Sequence, residues 1–322
     1  MGGSMSKSSW VKFQDMGGPL HRGARKDGKY IHVYDPQKPW GVWTQILGVI
    51  AACEGRYDTV VMYDDTGVTF GAFQWTFTSG RLQRFLESLK VIPTMDFVSG
   101  EDGVLFDLLM DDDDQIFAEY GFRILDGQFI TVEGEVLNPR KHKQEIVNVC
   151  LSRSGNVFNR SVAIGLCDTF ARIGAMPGIQ AAQNEYAKIE LKQALGYRRP
   201  PLASVGGTIK HMLPDEVWGT PIPAIFFNLY QNLPGGSFKL FKSALSDAEK
   251  KGIVTFNDGY HVQKSTDDLL LLIWEKLCRT SIADWGFRSK QYLANKKNTP
   301  RITRIQPAIK KYYGIDLQMV GR

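Results

Sequence analysis

Residues 59–73, TVVMYDDTGVTFGAF, place two β-forming runs around Asp-Asp-Thr-Gly, and a helix-like stretch ends just upstream. Val, Thr, Tyr and Phe suit a pleated surface and the central four residues suit a turn, so the segment predicts a two-strand hairpin. Before it, Val42, Ile46, Val49, Ile50 and Cys53 recur at helical spacing. They predict an amphipathic helix of about four turns, stopped by Gly55. A helix that runs straight into a hairpin commits this part of the chain to helix packed with antiparallel sheet.

The rest of the chain reads mostly as helix. SGRLQRFLESLK predicts a helix capped by Ser79, with Leu82, Phe85, Leu86 and Leu89 as its buried stripe. GFRILDGQFITVEGEVLNP alternates with turn signals and predicts a second small hairpin. NRSVAIGLCDTFARIGAM presents Val162, Leu166, Phe170 and Ile173 on one face, and GIQAAQNEYAKIELKQALG presents Ile179, Ala182, Tyr186 and Ile189. RRPPLASVGGT breaks the pattern, after which PAIFFNLYQNL, SFKLFKSALSDAEKKG and STDDLLLLIWEKLCRT predict three more helices. The expected class is α+β, mostly helical, with a small sheet near the first third. The expected division is an N-terminal arm over 1–38, a main body over 39–285 and a basic segment over 286–322. Within the body, a sheet lobe covers about 55–150 and a helical lobe about 156–285. The opening MGGSMSKSSW reads as a short added leader before Met5.

With 322 residues, 43% of them hydrophobic, the chain can bury a substantial core. A net charge of +5 is too small to demand nucleic acid and suits an anionic partner such as a cell wall or membrane surface. Cys53, Cys150, Cys167 and Cys278 lie far apart without a CxxC pair, which favours reduced core thiols over a disulfide framework. No apolar run approaches the roughly 20 residues that span a bilayer. The five histidines have no ligand spacing, and the acidic turn Asp111 to Asp114 lacks the glycine and distal glutamate of a calcium loop, so no metal is expected. Phosphate-cradling, dinucleotide and nucleophile-elbow motifs are missing, and no cofactor is expected.

The chemistry-bearing residues cluster around the helix–hairpin junction. Cleaving a glycosidic bond needs one carboxyl that donates a proton and a second that activates water or stabilises charge on the sugar. Glu54 closes an apolar helix, where partial desolvation and the negative helix end both favour the neutral form of an acid. Asp64 and Asp65 lie in the turn, a wetter place that suits an ionised partner. Side chains alternate along a strand, so one of the two aspartates faces a cleft beside Glu54. Tyr63 and Trp75 flank this position and offer rings for a sugar face, and Arg56 and Tyr57 sit at the same mouth. Gln180, Gln183 and Asn184 offer amides for acetamido groups.

The stretch EGRYDTVVMYDDTGVTFGAFQ resembles the motif of phage-type lysozymes, in which a Glu-Gly ends a long helix before an Asp-Thr turn and a Thr-x-Gly strand. The resemblance covers about residues 42–90. It implies a lysozyme-like, two-lobed fold with the small sheet beside the catalytic helix. Residue by residue, it makes Glu54 the general acid, Asp65 the opposing carboxylate and Thr69 the residue that positions water or sugar. Gly71 matches the glycine that admits substrate to the backbone, and Gln74 stands where the family has histidine. The gap from Glu54 to Asp65 is longer than the family's and the turn from Thr66 to Thr69 is shorter. The resemblance further implies a monomeric peptidoglycan hydrolase, an endolysin or virion-associated lysin of a bacteriophage or a delivered bacterial effector. Such a protein is made in the cytoplasm without a signal peptide and acts on the wall after release or delivery. A flexible turn favours a wide carboxylate gap and hence inversion.

Three other readings differ in what they predict. The bacterial chitosanases share the helix–Glu–hairpin scheme, which would make the substrate another amino-sugar polymer. A structural phage protein that keeps the fold without activity would bind wall and release nothing. The nine basic residues from Gly286 onward could serve nucleic acid, although a solvated surface or an anionic wall polymer suits them as well.

Overall fold

A computed structural model describes residues 12–13, 19–22, 25–26, 29–30, 41–62, 66–89, 122–125, 128–131, 133–150, 160–196, 209–294 and 299–319. Tyr63, Asp64, Asp65 and the acidic run 101–114 lie outside the described residues. The chain is α+β and mostly helical, with small antiparallel sheets. In order, the first elements are β1 (Lys12–Phe13), β2 (Pro19–Arg22), β3 (Arg25–Lys26), β4 (Lys29–Tyr30), α1 (Val42–Glu54), β5 (Thr59–Val61), β6 (Thr69–Phe70) and β7 (Trp75–Thr76). Then come α2 (Arg81–Ser88), β8 (Phe122–Leu125), β9 (Gln128–Thr131), α3 (Lys143–Cys150), α4 (Arg160–Ala175) and α5 (Pro177–Leu195). The last are α6 (Ile209–Met212), α7 (Ile222–Asn232), α8 (Pro234–Lys250), β10 (Val254–Phe256), β11 (Tyr260–Val262), α9 (Thr266–Cys278), α10 (Lys290–Ala294) and α11 (Ile302–Tyr313).

The chain divides into two compact units, one of residues 1–33 with 54–187 and the other of 34–53 with 188–322. In the first, β5 and β6 form the expected hairpin, with Val60 opposite Phe70 and Val61 opposite Thr69. β7 extends it on one side. On the other side the N-terminal segment, expected as an arm, supplies strands: Leu20, His21 and Arg22 pair with Val61, Val60 and Thr59. A strand edge left open exposes unpaired N–H and C=O groups, and β2 fills that edge. The second hairpin, β8–β9, also forms.

Helix α4 packs across β2 and β5. The approach is close enough that a β-carbon on Gly174 would overlap the carbonyl oxygen of Tyr57 and stand 2.7 Å from Cα of Asp58. Phe70 lies between Phe170 of α4 (5.4 Å) and Phe85 of α2 (6.2 Å), which joins sheet and helices in one aromatic core. Leu82, Phe85, Leu86 and Leu89 are buried as the α2 stripe requires. The N-cap position of α2 belongs to Gly80 at φ 69°, and the hydroxyl of Ser79 accepts the N–H of Arg81 at 3.3 Å.

In the second unit, α1 buries Ile46, Leu47, Val49, Ile50 and Cys53. The basic C-terminal stretch is part of this unit's core. Ile302, Ile305 and Ile309 of α11 are buried, and Gly48 of α1 faces the ring of Tyr312 so closely that a β-carbon would come within 2.7 Å. Arg304 donates to the carbonyl of Cys53 at 2.9 Å, which puts a cation on the negative end of α1. Gln45 donates to the carbonyl of Tyr312 at 3.0 Å. Pro234 opens α8, and Ser265 caps α9 by accepting the N–H of Asp267.

Candidate active site

Glu54 is the last residue of α1 and is half-buried. Gly55 breaks the helix, and the chain turns at once: the N–H of Arg56 donates to Oγ1 of Thr59 at 2.8 Å, and the N–H of Thr59 donates to the carbonyl of Arg56 at 2.9 Å. These two hydrogen bonds set the tight link from helix to β5. The β6–β7 turn reaches the same place, because a β-carbon on Gly55 would meet Nε2 of Gln74 at 2.8 Å and Oγ1 of Thr59 at 3.2 Å. The missing side chain of Gly55 leaves room for the Gln74 amide where it now lies, and a larger residue there would have to displace it.

Gln74 is a backbone outlier, with φ 51°. Its own N–H reaches the carbonyl of Gly71 at 3.2 Å, and its Nε2 donates to the same carbonyl at 2.8 Å. A non-glycine residue in this region costs on the order of 1 kcal/mol or more and persists where the surroundings over-determine it. The strain thus falls on the residue whose amide packs against the neighbour of Glu54.

Several expected roles change once the side chains are placed. Trp75 is fully buried and stacks on Phe85 at 4.5 Å with Tyr186 against its edge, so its ring has no face to give to a sugar. The alternation that follows Gln74 turns Trp75 into the core. Tyr57 is buried as well and does not line an open mouth. Gly71, at φ 81°, does not open the backbone to a ligand on its β-carbon side, since Oε1 of Gln183 already fills that space. Gln183 is 0% exposed: its Oε1 accepts the N–H of Ala72 at 3.0 Å and its Nε2 donates to the carbonyl of Tyr57 at 2.9 Å. It is a buried brace, not an acetamido-binding group. Asn184 is buried too, and Gln180 donates to the carbonyl of Ala175.

Thr69 is 5% exposed, and its hydroxyl lies 2.9 Å from that of Thr66. Thr66, which the sequence pattern does not mark, is the more accessible member of the pair. Arg56 is half-buried. Asp58, the next carboxylate after Glu54 in the chain, is 6% exposed and does not supply a solvated partner. Thr59 is a second residue missed from sequence. Its spacing from Gly55 carries no motif, and its role emerges only when the turn closes.

Among the described residues, no three His, Cys, Asp or Glu side chains gather as a metal cage, and no helix is long and apolar enough to cross a membrane. Compared with protein-family models, with curated proteins and with solved structures, the chain has no significant match in any of the three.

Proposed function

We propose that the chain is a lysozyme-like glycoside hydrolase that cuts peptidoglycan, with Glu54 as the proton donor. The observation that carries the reading is the junction itself. A half-buried glutamate ends an apolar helix, and the strained Gln74 lays its amide against the adjacent glycine. Strain held next to an acid, in a turn braced from beneath by Gln183, suits a group whose position must be fixed before substrate arrives.

In the mechanism, Glu54 protonates the glycosidic oxygen as the bond to the leaving sugar breaks. Asp65 takes a proton from the attacking water or faces the positive charge on the ring. Gln74, in the position of the family's histidine, orients the sugar or the water through its amide. The Thr66–Thr69 hydroxyl pair holds the root of the hairpin that carries Asp64 and Asp65. The polymer is made of amino sugars, and the virion-associated or released lysin of a bacteriophage is the setting that the motif favours.

Digestion of purified sacculi followed by mass analysis of the soluble fragments tests the reading and the bond together. Fragments ending in reducing muramic acid are expected. Intact sacculi, or release of reducing ends from chitosan alone, would remove the peptidoglycan assignment.

A further inference from the structure

Gly55 follows Glu54, and glycine has more backbone freedom than any other residue. Left to itself, it would let the backbone around the carboxylate turn. The first fixed point beyond it is Arg56. The N–H of Arg56 donates to Oγ1 of Thr59 at 2.8 Å, and its carbonyl accepts the N–H of Thr59 at 2.9 Å. Thr59 also packs on Gly55 directly, because its Cβ and Oγ1 both lie 3.2 Å from where a β-carbon on that glycine would stand.

Thr59 can hold this turn because it is itself held. It is buried, it opens β5, and it stands opposite Arg22 of β2. Toward the other edge, its carbonyl accepts the N–H of Gly71 at 2.8 Å. The carbonyl of Gly71 takes the N–H of Gln74 at 3.2 Å and its Nε2 at 2.8 Å, and that Nε2 lies against Gly55. The contacts close a ring: Arg56 to Thr59, Thr59 to Gly71, Gly71 to Gln74, and Gln74 back onto the glycine beside Glu54. Two links of this ring depend on a side chain, the Gln74 amide and the Thr59 hydroxyl.

We propose that Thr59 is a positioning residue for the reaction: its hydroxyl fixes the turn after Glu54 against the Gly71–Gln74 turn, so that the Glu54 carboxyl and the Gln74 amide keep one mutual placement. The role rests on the reading of Glu54 as proton donor. Such a donor must sit within hydrogen-bond reach of the oxygen that it protonates. A misplacement of about 1 Å, caused by a change away from the chemistry, costs about 10²-fold in rate. A strand residue fixed from both sides is suited to prevent it, since support on a rigid element is more precise than support on a loop. Thr59 is buried and acts through Gly55 and Arg56, not on the sugar. Its loss therefore shows in turnover, with substrate affinity kept.

The test is the initial rate of reducing-end release from purified sacculi by the full chain, measured well below each variant's unfolding midpoint. Thr59→Val keeps the shape and deletes the hydroxyl; kcat is expected to fall about 10–100-fold with KM held within about twofold. Thr59→Ser restores the hydroxyl and is expected to bring kcat back to within about threefold of the unmodified chain. A hydroxyl that serves the fold alone would lower the unfolding midpoint and leave kcat per folded molecule as it was, and that result overturns the proposal. So does a fall in kcat while the Arg56 amide stays protected from hydrogen exchange, because the bond invoked would then be intact. If Thr59→Val does not fold by circular dichroism, Thr59→Cys against Thr59→Ser makes the same contrast at nearly equal size, a thiol being a weak acceptor, with the same fall expected for cysteine. The proton donor is scored apart. No release by the unmodified chain, or full release by Glu54→Gln, removes the donor and this role with it. Full kcat in Thr59→Val removes the role and leaves the donor standing.

Discussion

The side-chain amide of Gln183 occupies the space that a β-carbon on Gly71 would need. One buried amide thereby ties α5 to the segment after Glu54, through the Tyr57 carbonyl, and to the β6–β7 turn, through the Ala72 N–H. Gln183→Leu keeps the bulk and removes both bonds, leaving two buried backbone groups without partners. A loss of about 2–4 kcal/mol is expected in denaturant unfolding. Gly71→Ala adds a side chain at φ 81° into the same space, and a loss of at least about 2 kcal/mol is expected. An unfolding midpoint near that of the unmodified chain in either variant would mean that the turn does not lean on Gln183.

The contact of α4 with the sheet makes a second demand. Gly174 sits against the Tyr57 carbonyl and Cα of Asp58, which are backbone atoms and cannot rotate away. Alanine ordinarily favours a helix over glycine by up to about 1 kcal/mol. Here the sign inverts: Gly174→Ala is expected to lower stability by about 2–3 kcal/mol, as overpacking does. Thermal unfolding at matched concentration reads the sign directly.

Gln74 separates strain from contact. Gln74→Ala retains the φ of 51° and discards the bond from Nε2 to the Gly71 carbonyl, whereas Gln74→Gly discards the bond and relieves the backbone. Glycine is therefore expected to be the more stable of the two by about 1 kcal/mol. Both are expected to lose activity on sacculi if the amide orients substrate. Full activity in the glycine variant would assign Gln74 to the turn alone.

Glu54→Gln removes a proton donor at nearly constant volume. Sacculus clearing is expected to fall by about 10²–10⁴-fold, the range of a lost general acid. Denaturant unfolding of the same variant separates lost catalysis from lost folding, because the side chain is half-buried at a helix end. Clearing at the unmodified rate would end the case for Glu54.

The helix and hairpin around this glutamate were legible because their periods differ: apolar residues fall at helical spacing through Cys53, and β-formers bracket Asp-Asp-Thr-Gly after it. What the pattern missed was partnership across long separations. Strand β2 is short and polar, Pro-Leu-His-Arg, and reads as loop until β5 is there to pair with it. The β10–β11 hairpin turns at Asp258 and Gly259, both at positive φ, and Asn-Asp-Gly is the sequence signal for such a turn. Ile189 fits the buried face of α5 by its spacing from Ala182 and Tyr186 yet is 40% exposed, because the buried line runs by fours through Gln183, Ala187 and Leu191 and passes Ile189 by. Gln183 departs from its sequence expectation in the opposite sense. An amide on a helix reads as surface, and only the uncovered groups at Tyr57 and Ala72 make its burial favourable.

The acid side of the stability profile tests the electrostatics of the second unit. Lys276, by its bond and its charge, holds the Asp247 carboxyl below its ordinary value of 3.8 in the folded chain. The unfolded chain, lacking that partner, takes up the proton first as pH falls. The pair's contribution is therefore complete above the ordinary value and is lost as pH drops through the lowered one. Lys276→Met keeps the stem and removes the charge. The difference in denaturant midpoint between the unmodified chain and this variant is expected to shrink as pH is taken from about 6 to about 2, and to shrink with added salt at neutral pH. A difference that ignores both pH and salt would mean that Lys276 acts through its bond to Ser243 and its packing, with Asp247 a bystander.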